Sequence, residues 1–129
     1  MNVYLLDTSV ALLAVHQSAR LSTAVRQAID RGPAVLSSVG YWEVTTKARK
    51  GGLDVGNPRL WWAETLDALG LQPLLLHPHH IAAICDLPPI HQDPFDRALI
   101  AQATEEGLTL LTTDRKIPRY ASKRFRVIR

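Results

Sequence analysis

Asp7, Glu43, Asp96 and Asp114 are the residues of this 129-residue chain best placed to do chemistry together. Asp7 closes the apolar run Val3-Tyr4-Leu5-Leu6, and Asp114 follows Leu108-Thr109-Leu110-Leu111-Thr112-Thr113; both runs read as buried strands. Glu43 and Asp96 fall near the starts of two helix-like segments. Ligands of open α/β sheets bind outside the carboxyl ends of the strands, so acids at strand ends are natural site residues. Four carboxylates gathered there repel one another unless a cation sits among them. An all-oxygen set selects hard cations, chiefly Mg²⁺ or Mn²⁺. The chemistry of such ions is the activation of water and the neutralisation of a phosphoryl oxygen during in-line displacement.

Taken singly, each acid also has an ordinary job. Asp7 could cap a helix, worth about 1 kcal/mol, although Thr8 and Ser9 offer caps of their own. Glu43 has Lys47 four residues on, a pairing worth ~0.2–0.5 kcal/mol. In His91-Gln92-Asp93-Pro94-Phe95-Asp96, Asp93 reads as the N-cap and Pro94 as the first helical residue. Asp96 then falls at the third helical position, where an acid suits both the capping box and the helix dipole. Two acids around one helix start exceed what capping requires, which leaves Asp96 free for chemistry. Asp114 suits a turn, and Thr112 offers a hydroxyl two residues earlier that can orient a carboxylate.

The elements that must position these groups alternate between strand and helix, which predicts an α/β fold with a mostly parallel sheet covered by helices. After the first strand a short helix runs to Val15, and a second fits Leu21 to Asp30 before Gly32-Pro33 stops it. Ala34–Ser37 is the next strand, followed by a helix from Ser38 to about Lys50 and a stop at Gly51-Gly52. Asn57-Pro58 opens a helix that Gly70 ends; Leu71–Leu76 is a strand whose Pro73 suits only a sheet edge. A short helix over His79–Asp86, the helix Pro94–Glu106 closed by Gly107, and a last strand Phe125–Ile128 complete the chain.

Length and composition predict one domain over residues 1–129, with 47% hydrophobic and 21% charged residues, the balance of an ordinary globular chain. Cys85 is the single cysteine, which excludes an internal disulfide and a cysteine-rich zinc motif. Met1-Asn2 leads into the first strand with no basic leader region, and no apolar run approaches the ~20 residues that span a bilayer; a cytoplasmic protein without membrane association is expected. The net charge is +3, yet Arg115, Lys116, Arg119, Lys123, Arg124, Arg126 and Arg129 follow Asp114 with no acid among them. A basic stripe beside an acidic pocket suits a substrate with an anionic backbone, and equally a solubilising tail.

At these residues the chain resembles the PIN-domain ribonucleases, and among them the VapC-type toxins of toxin–antitoxin pairs. The resemblance lies in LLDTSVAL at 5–12, SSVGYWEV at 37–44, DPFDRALIAQA at 93–103 and LLTTD at 110–114, in the family's order across most of the chain. It implies a PIN-like three-layer fold, a small mostly parallel sheet flanked by helices. The family's four catalytic and metal-binding acids fall on Asp7, Glu43, Asp96 and Asp114, with Thr8 and Thr112 as supporting hydroxyls. Where many relatives carry arginine before the last aspartate, this chain has Thr113. The resemblance further implies Mg²⁺- or Mn²⁺-dependent hydrolysis of RNA to a 5′-phosphate and a 3′-hydroxyl, a cognate antitoxin protein as inhibitor, and a homodimer. Arg97, Arg115, Lys116 and Arg119 are the candidates for contacts to RNA phosphates.

Two rival readings share the same residues. A phosphatase-type domain with Asp7 as nucleophile would show Asp-x-Asp after the first strand, whereas position 9 is serine. A catalytically idle RNA- or protein-binding module on the same fold has no need of four acids. His77, His79, His80 and His91 lack the spacing and the companion cysteines of a zinc site and read as surface or loop histidines, with His91 close enough to Asp96 in sequence to touch substrate. Trp61 and Trp62 point to different sides of a helix, so one is core and the other is free for a partner. Cys85 reads as a small buried hydrophobe.

Overall fold

Strands made mostly of apolar residues are buried on both faces, and the three central strands of this protein's sheet are built that way. The computed structural model describes residues 2–129, so Met1 lies outside the described residues. Five strands, β1 (Tyr4–Leu6), β2 (Ala34–Ser37), β3 (Gln72–Leu74), β4 (Thr109–Leu111) and β5 (Arg126–Ile128), pair in the order β3-β2-β1-β4-β5, each neighbour parallel. Six helices cover them: α1 (Thr8–His16), α2 (Thr23–Arg31), α3 (Ser38–Arg49), α4 (Pro58–Leu69), α5 (Pro78–Ile84) and α6 (Pro94–Glu106). Successive side chains of a strand point to opposite faces. Leu6 accordingly packs among Val10, Val25, Leu36, Trp61 and Leu111, while Leu5 packs among Val39, Leu99, Ile100, Leu110 and Ile117. The result is a three-layer α/β arrangement, as the strand–helix alternation predicts. No helix among the described residues is long and apolar enough to cross a membrane.

The strand order grows outward from β1 in both directions, through β2 to β3 and through β4 to β5. The crevice at such a reversal, beyond the carboxyl ends of β1 and β4, is where open α/β sheets bind ligands. Asp7 follows β1 directly, and Thr112 to Asp114 follow β4.

Helix starts are set by short polar caps, and here the structure corrects one expectation. Asp7, rather than Thr8 or Ser9, is the N-cap of α1, its Oδ1 accepting from the Val10 amide at 2.8 Å. Ser22 caps α2, which therefore begins at Thr23 after a 3₁₀ turn over Ser18–Arg20, two residues later than the apolar pattern suggests. Asp93 caps α6 as expected, accepting from the Phe95 and Asp96 amides at 2.8 and 3.1 Å, and Gly107 ends that helix at φ 67°. β3 is an edge strand, which accommodates Pro73. Cys85, expected to be buried, is exposed beyond the end of α5. Trp61 is core, and Trp62 is half-buried with its ring stacked on Tyr41.

The basic stripe is not a loose tail. Ile117, Tyr120 and Phe125 are buried and pin the segment to the α6 side of the sheet. Arg124 meets Glu105 at 3.2 Å, and Arg126 donates to the Gly107 carbonyl at 3.0 Å. Arg97 is also placed otherwise than as a phosphate contact. Its guanidinium donates to the Pro88 carbonyl at 2.9 Å and lies within 3.3–3.5 Å of the Tyr120 hydroxyl and the carbonyls of Ile84, Leu87 and His91. A planar cation with five N–H donors can tie several orphan carbonyls at once, here those at the end of α5 and in the loop that leads to α6.

Charge-assisted hydrogen bonds of this kind contribute about 1.5–3 kcal/mol. Arg97→Ala is expected to destabilise the fold by that order, read as a lower midpoint in urea unfolding at unchanged slope. A midpoint equal to the parent's would mean that the Arg97 contacts contribute nothing to stability.

Candidate active site

The loops beyond β1 and β4, the N-terminal parts of α1 and α6, the middle of α3 and the loop after it enclose a cleft of about 460 Å³. Five carboxylates line it, those of Asp7, Glu43, Asp93, Asp96 and Asp114, together with Thr8, Ser9, Lys47 and Thr113. The four acids predicted from sequence are thus brought together, with Asp93 added. Lys47 is the only lysine or arginine among the lining residues.

Each carboxylate is fixed by groups that its own sequence neighbourhood supplies. Asp7 is 3% exposed; beyond capping α1 it accepts from Ser9 Oγ at 3.0 Å through Oδ1 and from Thr112 Oγ1 at 2.5 Å through Oδ2. Its amide donates to the Leu111 carbonyl at 2.9 Å, which seats it against β4. Burial pushes its carboxyl above the usual range, against the hydrogen bonds from Thr112, Val10 and Ser9. Ser9 spends its single hydrogen on Asp7, so the 2.8 Å contact between Ser9 Oγ and Thr113 Oγ1 has Thr113 as donor. Thr112 Oγ1 also accepts from the Asp114 amide at 3.0 Å, so one fully buried hydroxyl positions two of the acids.

Glu43 is buried one turn into α3. Its Oε1 accepts from Thr8 Oγ1 at 2.6 Å and its Oε2 from Lys47 Nζ at 2.5 Å. Both the helical pairing and the cleft position therefore apply to Glu43 at once. The Glu43 carboxylate holds the Lys47 ammonium above its usual range. Asp114 accepts from the Lys116 amide at 2.6 Å in the turn after β4.

Asp96 is also strongly perturbed. Its carboxyl is pushed up to about 7, first by burial and then by the negative charges of Asp93, Asp7 and Glu43, with His91 acting in the opposite direction. His91 was underweighted by sequence reasoning. Its Nε2 lies 3.0 Å from Asp96 Oδ2 and 3.5 Å from Asp114 Oδ2, buried and aligned for a hydrogen bond with neither. Its Nδ1 accepts from the Asp93 amide at 3.2 Å, which leaves the ring hydrogen of neutral His91 on Nε2. His91 thus points an N–H into the acid pair. The signal was the loop His91-Gln92-Asp93, short enough to fold back over the first turn of α6.

The donor set suits a hard divalent cation. The side chains of Asp96 and Asp114 each bring a carboxylate oxygen within 4.8 Å of His91 Nε2, which with its hydrogen is a donor rather than a ligand, and the remaining groups facing the cleft are carboxylates and hydroxyls. A second grouping, His79, His80 and Glu106, has the same spacing but a single carboxylate. His80 is fully buried rather than a surface histidine, and its Nδ1 accepts from the His77 amide at 3.0 Å. Its Nε2 therefore carries hydrogen and faces Glu106 Oε2 at 3.4 Å as a donor, not as a ligand. Of the four candidate phosphate contacts, Arg115 and Lys116 are exposed immediately after Asp114, whereas Arg119 lines a separate groove between α6 and the C-terminal loop. None of the four lines the acidic cleft.

Comparison with known proteins agrees with the order of these elements. The PIN domain family model matches residues 4–123. Ribonuclease VapC22 of Mycobacterium tuberculosis is 30% identical over 119 residues, 91% of each chain. Among solved structures, VapBC2 from Rickettsia felis bound to a promoter DNA fragment superposes with a TM-score of 0.71 at 13% identity, covering 98% of this chain and 97% of that one. DNA-bound VapBC from Salmonella typhimurium gives 0.70 at 16% identity, covering 99% and 98%.

Folded protein keeps a proton on Asp96 up to about pH 7, whereas an unfolded aspartate releases it near 3.8. Between those values the native state binds more protons than the unfolded one, so stability falls as pH rises through the window. In EDTA the melting temperature is expected to fall over that range, and Asp96→Asn to flatten the slope. A variant that tracks the parent across the window would show that Asp96 is not the group responsible.

Proposed function

The chain belongs to the PIN domain family, and within it we propose a Mg²⁺- or Mn²⁺-dependent endoribonuclease, the toxin of a toxin–antitoxin pair. The observation that carries this reading is the convergence of Asp7, Glu43, Asp96 and Asp114 on one cleft, with Asp96 pushed up to about 7 by burial and then by the charges of Asp93, Asp7 and Glu43. Carboxylates arranged to destabilise one another's ionised form are arranged to favour a cation. Asp7, Asp96 and Asp114 would hold the ion, and Glu43 would either join them or accept a proton from water at the site. When bound, such an ion supplies Lewis acidity toward water and a phosphate oxygen.

The chain's own groups do the rest. Thr112 and Ser9 keep Asp7 in one orientation, and Thr8 keeps Glu43 Oε1 facing the cleft, so the donor set needs little rearrangement. The Lys47 ammonium lines the cleft and offsets part of the negative charge through Glu43. Arg115 and Lys116, exposed next to Asp114, take phosphates at the rim. An RNA substrate follows from the ribonuclease relative, and a cognate antitoxin partner from the likeness to VapBC assemblies. A homodimer and a cytoplasmic location complete the proposal.

Purified protein is expected to cleave RNA with Mg²⁺ or Mn²⁺ and to stop in EDTA. Asp96→Asn should lower the rate by about 10²–10³-fold, the cost of removing one preorganised electrostatic group. It should also reduce the rise in melting temperature that Mn²⁺ gives the parent. Cleavage that survives EDTA, or full activity in Asp96→Asn, would sink the site assignment.

A further inference from the structure

Of the three tryptophans, only Trp42 leaves its ring in water, at 58% exposure. Trp61 is 5% exposed, and Trp62 stacks on Tyr41 with ring centroids 5.5 Å apart at 17°. An unburied indole forgoes much of the transfer free energy its large apolar surface could yield. Trp42 is also tied to the acidic cleft on two sides. It precedes Glu43 on α3, and it meets Phe95, which precedes Asp96 on α6, edge to face with centroids 4.9 Å apart at 82°. The bracing holds the ring in one place without covering it.

The rest of that helix face is polar and cationic. The hydroxyls of Thr45 and Thr46 are turned back onto the Trp42 carbonyl at 2.9 and 2.8 Å. Arg49, seven residues on, returns to the same side of the helix roughly 10 Å along its axis. It is exposed and has no ion pair among the described residues, and exposed Lys50 follows it. A rigid aromatic ring followed by unpaired cations is the pattern that tracks a single-stranded nucleic acid, bases stacking on the ring and phosphates meeting the cations. A protein partner would call for apolar neighbours where this face offers threonine, arginine and lysine.

We propose that Trp42 is the stacking platform for an unpaired RNA base beside the scissile phosphodiester, with Arg49 taking a phosphate further along the same strand. Substrate choice then favours single-stranded segments, because a base inside a duplex cannot offer its face. This rests on the ribonuclease reading and names its substrate class.

The test measures binding of a short fluorescein-labelled single-stranded RNA in EDTA, with the same sequence annealed as a duplex, to parent, Trp42→Ala, Trp42→Leu and Trp42→Phe. Melting temperature and light-scattering mass are recorded for each. Trp42→Ala and Trp42→Leu are expected to lose roughly 5- to 100-fold in affinity for the single strand. Trp42→Phe should retain most of it, and the duplex should bind weakly to all four. Equal single-strand affinity in parent and Trp42→Ala, while the parent still cleaves RNA, overturns the platform and leaves the nuclease standing. So does a switch from dimer to monomer in Trp42→Leu with RNA affinity unchanged, which assigns the ring to a second copy of the chain. A parent that neither binds nor cleaves RNA overturns the ribonuclease reading, and the platform falls with it.

Discussion

Five carboxylates facing one cleft repel one another, and much of the local architecture exists to hold them there. Asp7 shows how this is done. The Asp7 amide is seated on the Leu111 carbonyl of β4, and its side chain is gripped by the Val10 amide, Ser9 and Thr112. Each side-chain bond favours the ionised form, yet burial still pushes the carboxyl upward. The strain is passed to Asp96, which has fewer hydrogen bonds and sits among three other acids. An ion pair would relieve it most simply, but the only lysine or arginine in the cleft already faces Glu43. What remains is the partial remedy of the His91 N–H, poorly aligned with both of its acid neighbours. A site left short of positive charge in this way suits a charge that comes from outside.

The elements with strong local rules were legible in the sequence. Pro94–Glu106 could be read to the residue because Asp93, Pro94 and Gly107 each carry a backbone reason for their place. β2 was equally plain, bounded by Pro33 and by Ser37, which caps the next helix. The start of α2 was less so, since Leu21 continues the apolar pattern while Ser22 supplies the cap, and the cap decides. The four acids were legible as a set because Asp7 and Asp114 end apolar runs, Glu43 and Asp96 fall near helix starts and the four motifs carry them in order. That β1 and β4 pair and set positions 7 and 114 side by side was not legible. Nothing local to either position says so.

Other features were illegible for a common reason: they depend on contacts between distant segments. Arg97 stands next to Asp96 and reads as a cation beside an active site. Only the folded chain shows the carbonyls of residues 84–91 converging on it. His80 sits in a run of polar histidines, yet it is fully buried because Gln102 and the His77 amide meet its ring there. The C-terminal stripe is basic in sequence, but Ile117, Tyr120 and Phe125 alternate through it and anchor it. Counting charges along the chain saw the cations and missed the apolar residues that fix where they point.

On the ribonuclease reading, the same negative charge that favours the cation also resists the substrate. An RNA backbone approaching five carboxylates is repelled until the ion is in place, so affinity has to come from the rim rather than from the catalytic centre. The rim is where the cations lie: Arg115 and Lys116 after β4, and Arg49 and Lys50 at the end of α3. Phosphate contacts alone would hold any RNA, paired or not. An aromatic ring fixed against Phe95 beside Glu43 adds what the cations lack, since a stacked base must first be unpaired. Division of labour follows from the electrostatics: the centre can afford to be acidic only because binding and selection are carried out at its edge.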